Sequence, residues 1–368
     1  MTNAKRVREP LVHITKRDAM VWWKSWLVRV ISIIAALLVC SVVIILLTGY
    51  NPAQVYGSMI QGTFGSTRKF WVALQKTAML LCIALAVTPA FKMRFWNLGA
   101  EGQVLIGGLI AAGMMINFAG KLPNVLLLLL MLLACVLGGV IWAMIPAFFK
   151  ARWGTNESLF TLMMNYVAIQ LTSYCITFWE NPKGSNTVGV INGTSGAGWF
   201  PTVFGQKYFL NVAIVAVLTV IVFIYLRYSK QGYEISVVGE SENTARYIGI
   251  NVKKVILRTM VVSGALCGIA GLMLVAGTDH TISTNTVGGQ GFTAILVSWL
   301  AKFNPLFMVL VSFLLVFLDR GASEIATAFR LNESVSDILT GIILFFIIGS
   351  EFFINYKINF RGAAKREG

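Results

Sequence analysis

The stretch VLLLLLMLLACVLGGVIWAMIPAFF, residues 125–149, contains no charged side chain. At 1.5 Å of rise per residue, about 20 apolar residues in a helix cover the roughly 30 Å hydrocarbon core of a bilayer, so this stretch can cross one. Its first part, Val125 to Cys135, is mostly leucine and reads as a lipid-facing surface. Four further stretches, 30–48, 158–179, 208–226 and 259–278, also lack any charge. Weaker candidates at 70–91, 102–120, 292–302, 303–318 and 338–355 are shorter, richer in Gly and Pro, or interrupted by charge. The pattern predicts an all-α polytopic membrane protein of about ten transmembrane or re-entrant helices.

Composition agrees. Of 368 residues, 57% are hydrophobic and 12% are charged, against about 25% charged in a soluble domain. No polar stretch is long enough for a second core, so one membrane domain is expected over 30–355, between basic tails at 1–29 and 356–368. The first apolar run lacks a small-residue cleavage site at Gly49 to Asn51 and reads as a retained helix rather than a signal.

The net charge of +15 raises the question of an anionic partner. In a chain this apolar, the side of the bilayer on which each charge falls comes first. With ten crossings and the N-terminus inside, only Arg68, Lys69, Lys76, Lys121, Lys183, Lys207, Arg320 and Arg330 of the 30 Lys and Arg lie outside. The bias supports N-in and C-in, and turns the charge into a topology signal; no nucleic-acid partner is expected. The Gly-, Asn- and Ser-rich loop 180–207 then falls outside and the loop 228–256 inside.

Three constellations stand out. Within the inner loop, Gly239 to Ile250 reads as a short capped helix. Ser241 caps its start, Glu240 and Glu242 suit the positive end of the helix dipole, Glu242 and Arg246 are four apart, and Gly249 suits a left-handed stop. A helix this short does not persist alone, so it packs on this chain's own helices or on a partner; the alternative is an ordinary connecting loop. The second constellation, Trp96-Asn97-Leu98-Gly99-Ala100-Glu101-Gly102-Gln103, reads either as a broken helix facing a cavity or as an interfacial turn. The third is Asp279-His280 with the polar, Gly-rich run through Thr286, Gln290 and Gly291, either part of a pathway or an outer surface loop. Glycines 264, 268 and 271 recur at spacings that let helices approach closely.

Absences narrow the chemistry. The sequence carries no phosphate-binding Gly-x-x-x-x-Gly-Lys-Ser/Thr loop, no zinc motif and no nucleophile elbow. The five cysteines lie in apolar stretches without metal-site spacing. No enzymatic activity, metal or cofactor is expected.

Several of these residues resemble a known family. Gln231-Gly232-Tyr233-Glu234 through Val238-Gly239-Glu240, Ala245 to Val252 and Ser263-Gly264-Ala265 are similar to the cytoplasmic loop and following helix of ABC-importer permeases related to ribose and branched-chain amino-acid permeases. Residues 96–103, Gly291 to Ile295 and Asn304-Pro305 resemble the nucleoside-type branch, whereas Ala301-Lys302-Phe303 departs from its pattern.

The resemblance implies the membrane subunit of a type II importer in the bacterial cytoplasmic membrane, working with ABC ATPase subunits, a second permease subunit and an extracellular substrate-binding lipoprotein. It implies that Glu240, Ser241, Glu242, Ala245, Arg246, Tyr247 and Gly249 couple to the ATPase. Asn97, Glu101, Gln103, Asn165, Thr286 and Gln290 are the residues expected along the path of a small nucleoside. Import of ribose or another sugar is the alternative within the class. Outside it stands an ion-coupled transporter using Glu101 or Asp279.

Overall fold

The computed structural model describes residues 12–17, 20–330 and 333–360. Among them, nine helices are long and apolar enough to cross a membrane. The chain divides into two compact units, Thr67–Phe317 and the combination of Met1–Ser66 with Leu318–Gly368.

The larger unit holds α3 (Thr67–Lys92), α4 (Ala100–Phe118), α5 (Asn124–Trp153), α6 (Glu157–Trp179), α7 (Phe209–Tyr228), α8 (Lys230–Glu240), α9 (Glu242–Tyr247), α10 (Val252–Leu274) and α11 (Gln290–Leu300). The helix α12 (Pro305–Ala328) contributes to both units. At the centre, α10 packs against α3, α4 and α5. Its glycines explain how. A Cβ on Gly268 would stand 2.2 Å from the Cys135 carbonyl oxygen, and one on Gly264 2.4 Å from that of Gly139. Lipid tails are as apolar as leucine, so helices in a bilayer associate through such close contacts rather than by escaping water. Gly268→Ala should force α10 and α5 apart, because the obstructing atom is backbone and cannot rotate away. The expected loss is about 1–3 kcal/mol, read as a lower thermal unfolding midpoint in detergent.

Past Leu274 the helix continues as one π-turn, Val275–Asp279, and stops at His280 in the left-handed region. The chain then returns through 281–289 into α11. At 11 residues, about 16 Å long, α11 is too short to cross. It lies against α3, where Ser298 and Thr88 hydroxyls are 2.9 Å apart. The weak stretch expected at 292–302 is therefore a half-helix. The turn after it places both Lys302 and Phe303 at positive φ, which is where the sequence departs from the family pattern.

The smaller unit pairs α1 (Trp22–Thr48) with α13 (Glu333–Asn355), joined by an ion pair from Arg29 to Glu351, and adds α2 (Pro52–Phe64). One expectation needs correction here. Helix α1 begins at Trp22 rather than near residue 30, since Lys and Arg stems extend a helix past its apolar run while their charges reach polar partners. The fold is helical throughout its spanning part, as expected; within the two basic tails the sequence did not reveal a short pairing, β1 (Val12–Lys16) with β2 (Tyr356–Phe360), antiparallel with Ile14 opposite Ile358. β-Branched or aromatic residues at alternate positions, Val12 and Ile14 in one segment and Tyr356, Ile358 and Phe360 in the other, favour that pairing.

Candidate functional site

Two clusters account for the residues singled out from sequence. The first is the inner loop. Its short helix α9 starts where expected, with the Ser241 hydroxyl accepting from Thr244 N at 3.2 Å, and Gly249 ends the segment at φ +83°. Glu242 and Arg246 form an exposed pair at 3.4 Å, worth little in water. Ala245 is fully buried, whereas Tyr247 is 92% exposed and Ile248 beside it is also exposed. The sequence did not reveal α8, which carries α9 on a firm base. An ion pair ties Glu234 to Arg258 of α10, and a Cβ on Gly239 would come within 2.1 Å of the Lys92 carbonyl at the end of α3. Glu240 ends α8 and is exposed.

The second cluster surrounds the start of α4. A helix N-terminus leaves unpaired N–H groups, which a membrane interior does not hydrate, so side chains must satisfy them. The Asn97 carbonyl oxygen accepts from Gly99 N and from the Gln103 amide, both at 3.1 Å, and the Asn97 amide faces Ser263 of α10 at 3.3 Å. Asn165 of α6 accepts from Gly102 N at 2.9 Å and donates to the Leu98 carbonyl at 2.8 Å. Asn97 and Gln103 thus bond each other, Asn165 bonds the backbone at Leu98 and Gly102, and all three are buried around the start of α4. They brace α4 against α6 and α10.

Glu101 reaches another partner. Its two carboxylate oxygens accept from Gly289 N and Gly291 N, each at 2.7 Å, so it fastens the N-terminal end of α11 to α4. A Cβ on Gly291 would sit 2.7 Å from the Glu101 carboxylate. Gln290, between those glycines, keeps its side-chain oxygen buried with no partner among the described residues. Thr286 stands apart from the brace, and its hydroxyl accepts from Ser283 N within its own turn.

The loop 180–208 is pinned to the end of α10. Ile191 N donates to the His280 carbonyl at 2.8 Å, Phe200 N to that of Ala276 at 3.0 Å, and the Trp199 and His280 rings stack at 3.8 Å. Neither His280 ring nitrogen has a partner among the described residues. Burial, helped by the Lys207 charge, pushes its imidazole down to about 4. A free histidine protonates near 6.5, so between pH 6.5 and about 4 the unfolded chain takes up a proton that the folded one refuses. Stability present above pH 6.5 should therefore be lost as pH falls toward 4. Thermal unfolding at pH 7 and pH 5 measures this loss, and His280→Gln should show a smaller difference between the two.

The geometry is that of a helical membrane protein with a short, braced helix exposing Tyr247 and Ile248 at one end and a half-helix beside a buried polar cluster. It contains no nucleotide-binding element among the described residues. The family model for the permease component of branched-chain amino acid transport systems matches residues 72–348. The chain belongs to this family of ABC transporter permeases.

Among its relatives, the guanosine ABC transporter permease protein NupP of Bacillus subtilis is 30% identical over 346 residues, 93% of this chain and 97% of that protein. The glucose ABC transporter permease protein TsgB13 of Haloferax volcanii is 29% identical over 91% of this chain and 90% of its own length. The nucleoside ABC transporter permease protein NupB of Lactococcus lactis is 27% identical over 87% and 90%. As a permease the chain is a non-enzymatic, multi-pass membrane subunit, and its family implies ATPase partners and a substrate-binding protein. The ion-coupled alternative falls with this assignment.

Proposed function

We propose that this chain forms the translocation path of an ATP-driven nucleoside importer in the bacterial cytoplasmic membrane, beside a second permease subunit and fed by a lipoprotein receptor. The observation that carries the substrate class is the near full-length likeness to a permease named for guanosine, supported by a second relative named for nucleosides. The likeness to a glucose permease keeps sugar as the competing reading.

Coupling runs through α9. Ala245 anchors it, while Tyr247 and its neighbours at Gly249 meet a groove on the ATPase. Because α8 is fixed to α10 and packs on the end of α3, a push on α9 reaches the helix at the centre of the larger unit. Glu240, Ser241, Glu242 and Arg246 shape and cap this lever. A ligand shifts such a two-state equilibrium only by its differential affinity, so weak contacts along the path suffice and capture falls to the receptor.

Uptake into proteoliposomes holding all subunits decides the substrate. ATP-dependent accumulation of radiolabelled guanosine, undiminished by excess glucose or ribose, is expected. Accumulation of glucose with no uptake of any nucleoside would defeat the reading.

A further inference from the structure

The outward surface of α6 does not match that of its neighbours. Helices α5, α6 and α7 are similarly exposed over their apolar 18-residue windows, yet the mean hydropathy of those windows is 2.9 in α5 and 2.8 in α7 but only 1.3 in α6. The other span as polar as α6 is α4, and α4 is mostly buried.

The difference sits in one stripe. Tyr166, Gln170, Ser173, Tyr174 and Thr177 are all exposed. At 100° per residue they fall on one arc, opposite the buried face of Thr161, Asn165, Ala168, Thr172 and Ile176. Gln170 lies about 3 Å along the axis from the midpoint of α6. Neither its amide nor the Tyr166 hydroxyl has a partner among the described residues. An unpaired carboxamide halfway along a spanning helix is costly against lipid tails. This face therefore meets water, solute or protein rather than lipid.

We infer that the Tyr166, Gln170, Ser173, Tyr174 and Thr177 face of α6 lines the water-filled path and receives a neutral solute carrying an aromatic ring and hydroxyl groups. Residues 158–179 carry no charge, so the face offers nothing to neutralise a phosphate. It offers two tyrosine rings as stacking surfaces, and an amide and hydroxyls that both donate and accept. An unphosphorylated nucleoside has that chemistry. Toward the α9 end of the unit the helix instead presents an apolar groove of about 320 Å³ lined by Leu159, Phe160, Met163, Met164 and Val167, so the polar character is confined to the stripe itself. The identity of the solute rests on the nucleoside reading; the wetness of the face does not.

The test separates the two. In a Cys175→Ser background, Gln170→Cys and Ser173→Cys are compared with Leu137→Cys on α5 and Val217→Cys on α7. The assembled transporter is used in proteoliposomes, both nucleotide-free and trapped with ATP and vanadate. A charged, membrane-impermeant thiosulfonate reacts only with a thiol that water reaches. The α6 thiols are expected to react at least tenfold faster than the α5 and α7 thiols in one of the two states. Guanosine, but not guanosine monophosphate, should slow the reaction at Gln170→Cys. Reaction in the isolated permease but not in the assembled transporter would make this face a permease–permease contact and overturn the proposal. Rates equal to those at Leu137→Cys in both states would return it to lipid. Fast reaction slowed by glucose and by no nucleoside would leave the path standing and defeat the nucleoside reading.

Discussion

Tyr247→Ala should reduce ATP-driven uptake by at least tenfold while leaving the permease folded and inserted. The side chain is 92% exposed, so truncating it removes almost no packing within this chain, and any large effect must come through a partner. Aromatic anchors in small interfaces commonly carry more than 2 kcal/mol, a factor of about 30 in an equilibrium constant. Gly249→Val should act on the same contact by another route. At φ +83° a β-branched residue is strongly disfavoured, although nothing lies within 4 Å of its added Cβ. The segment must then leave the left-handed conformation and re-aim Tyr247 and Ile248. ATPase activity of the whole complex, uptake, and co-purification of the ATPase subunits measure both. Unchanged uptake in both variants would remove α9 from the coupling path.

The second large effect is expected at Glu101. A buried N–H left unpaired costs about 1–3 kcal/mol, and Glu101→Ala strands two, those of Gly289 and Gly291. The N-terminal end of α11 should loosen by about 2–6 kcal/mol, seen as faster hydrogen exchange at those amides and an uptake loss of tenfold or more. Glu101→Gln keeps one acceptor oxygen and turns an amide toward the second N–H, so it should fall between Ala and the wild type. That order is what a positioning role produces. If exchange at Gly289 and Gly291 is unaltered in Glu101→Ala, the carboxylate is not what holds α11. If uptake is lost equally in both variants with α11 still protected, the charge itself acts on the solute.

Much of this was readable in advance. The charge-free runs located the crossing helices, because a bilayer core excludes charge and demands about 20 apolar residues. The cap at Ser241 and the stop at Gly249 were legible because capping is local chemistry, fixed by residues within one or two turns. The family motifs pointed to the right class. Helix α8 was missed because its residues mix polar and apolar types without a long period, and its stability comes from Glu234 meeting Arg258 and from Gly239 against Lys92. Those pairings join residues far apart in sequence.

The polar residues near 97–103 show the same division. Their types announced a broken, hydrogen-bonding segment, but not that Asn97 and Gln103 would spend their polar groups on each other and Asn165 on the backbone at Leu98 and Gly102. The stripe on α6 had a signal, polar residues at 166, 170, 173, 174 and 177, hidden inside a run notable only for lacking charge. The sequence by itself determined a helical membrane permease, its crossing segments and its short capped inner helix, since apolar length and capping depend on neighbours along the chain. Only the tertiary structure decided that Glu101 holds a half-helix, that the buried amides form a brace, and that α6 turns its polar face outward. A polar side chain's role depends on what stands opposite it, and that is set by packing between distant segments, 190 residues apart for Glu101 and Gly291.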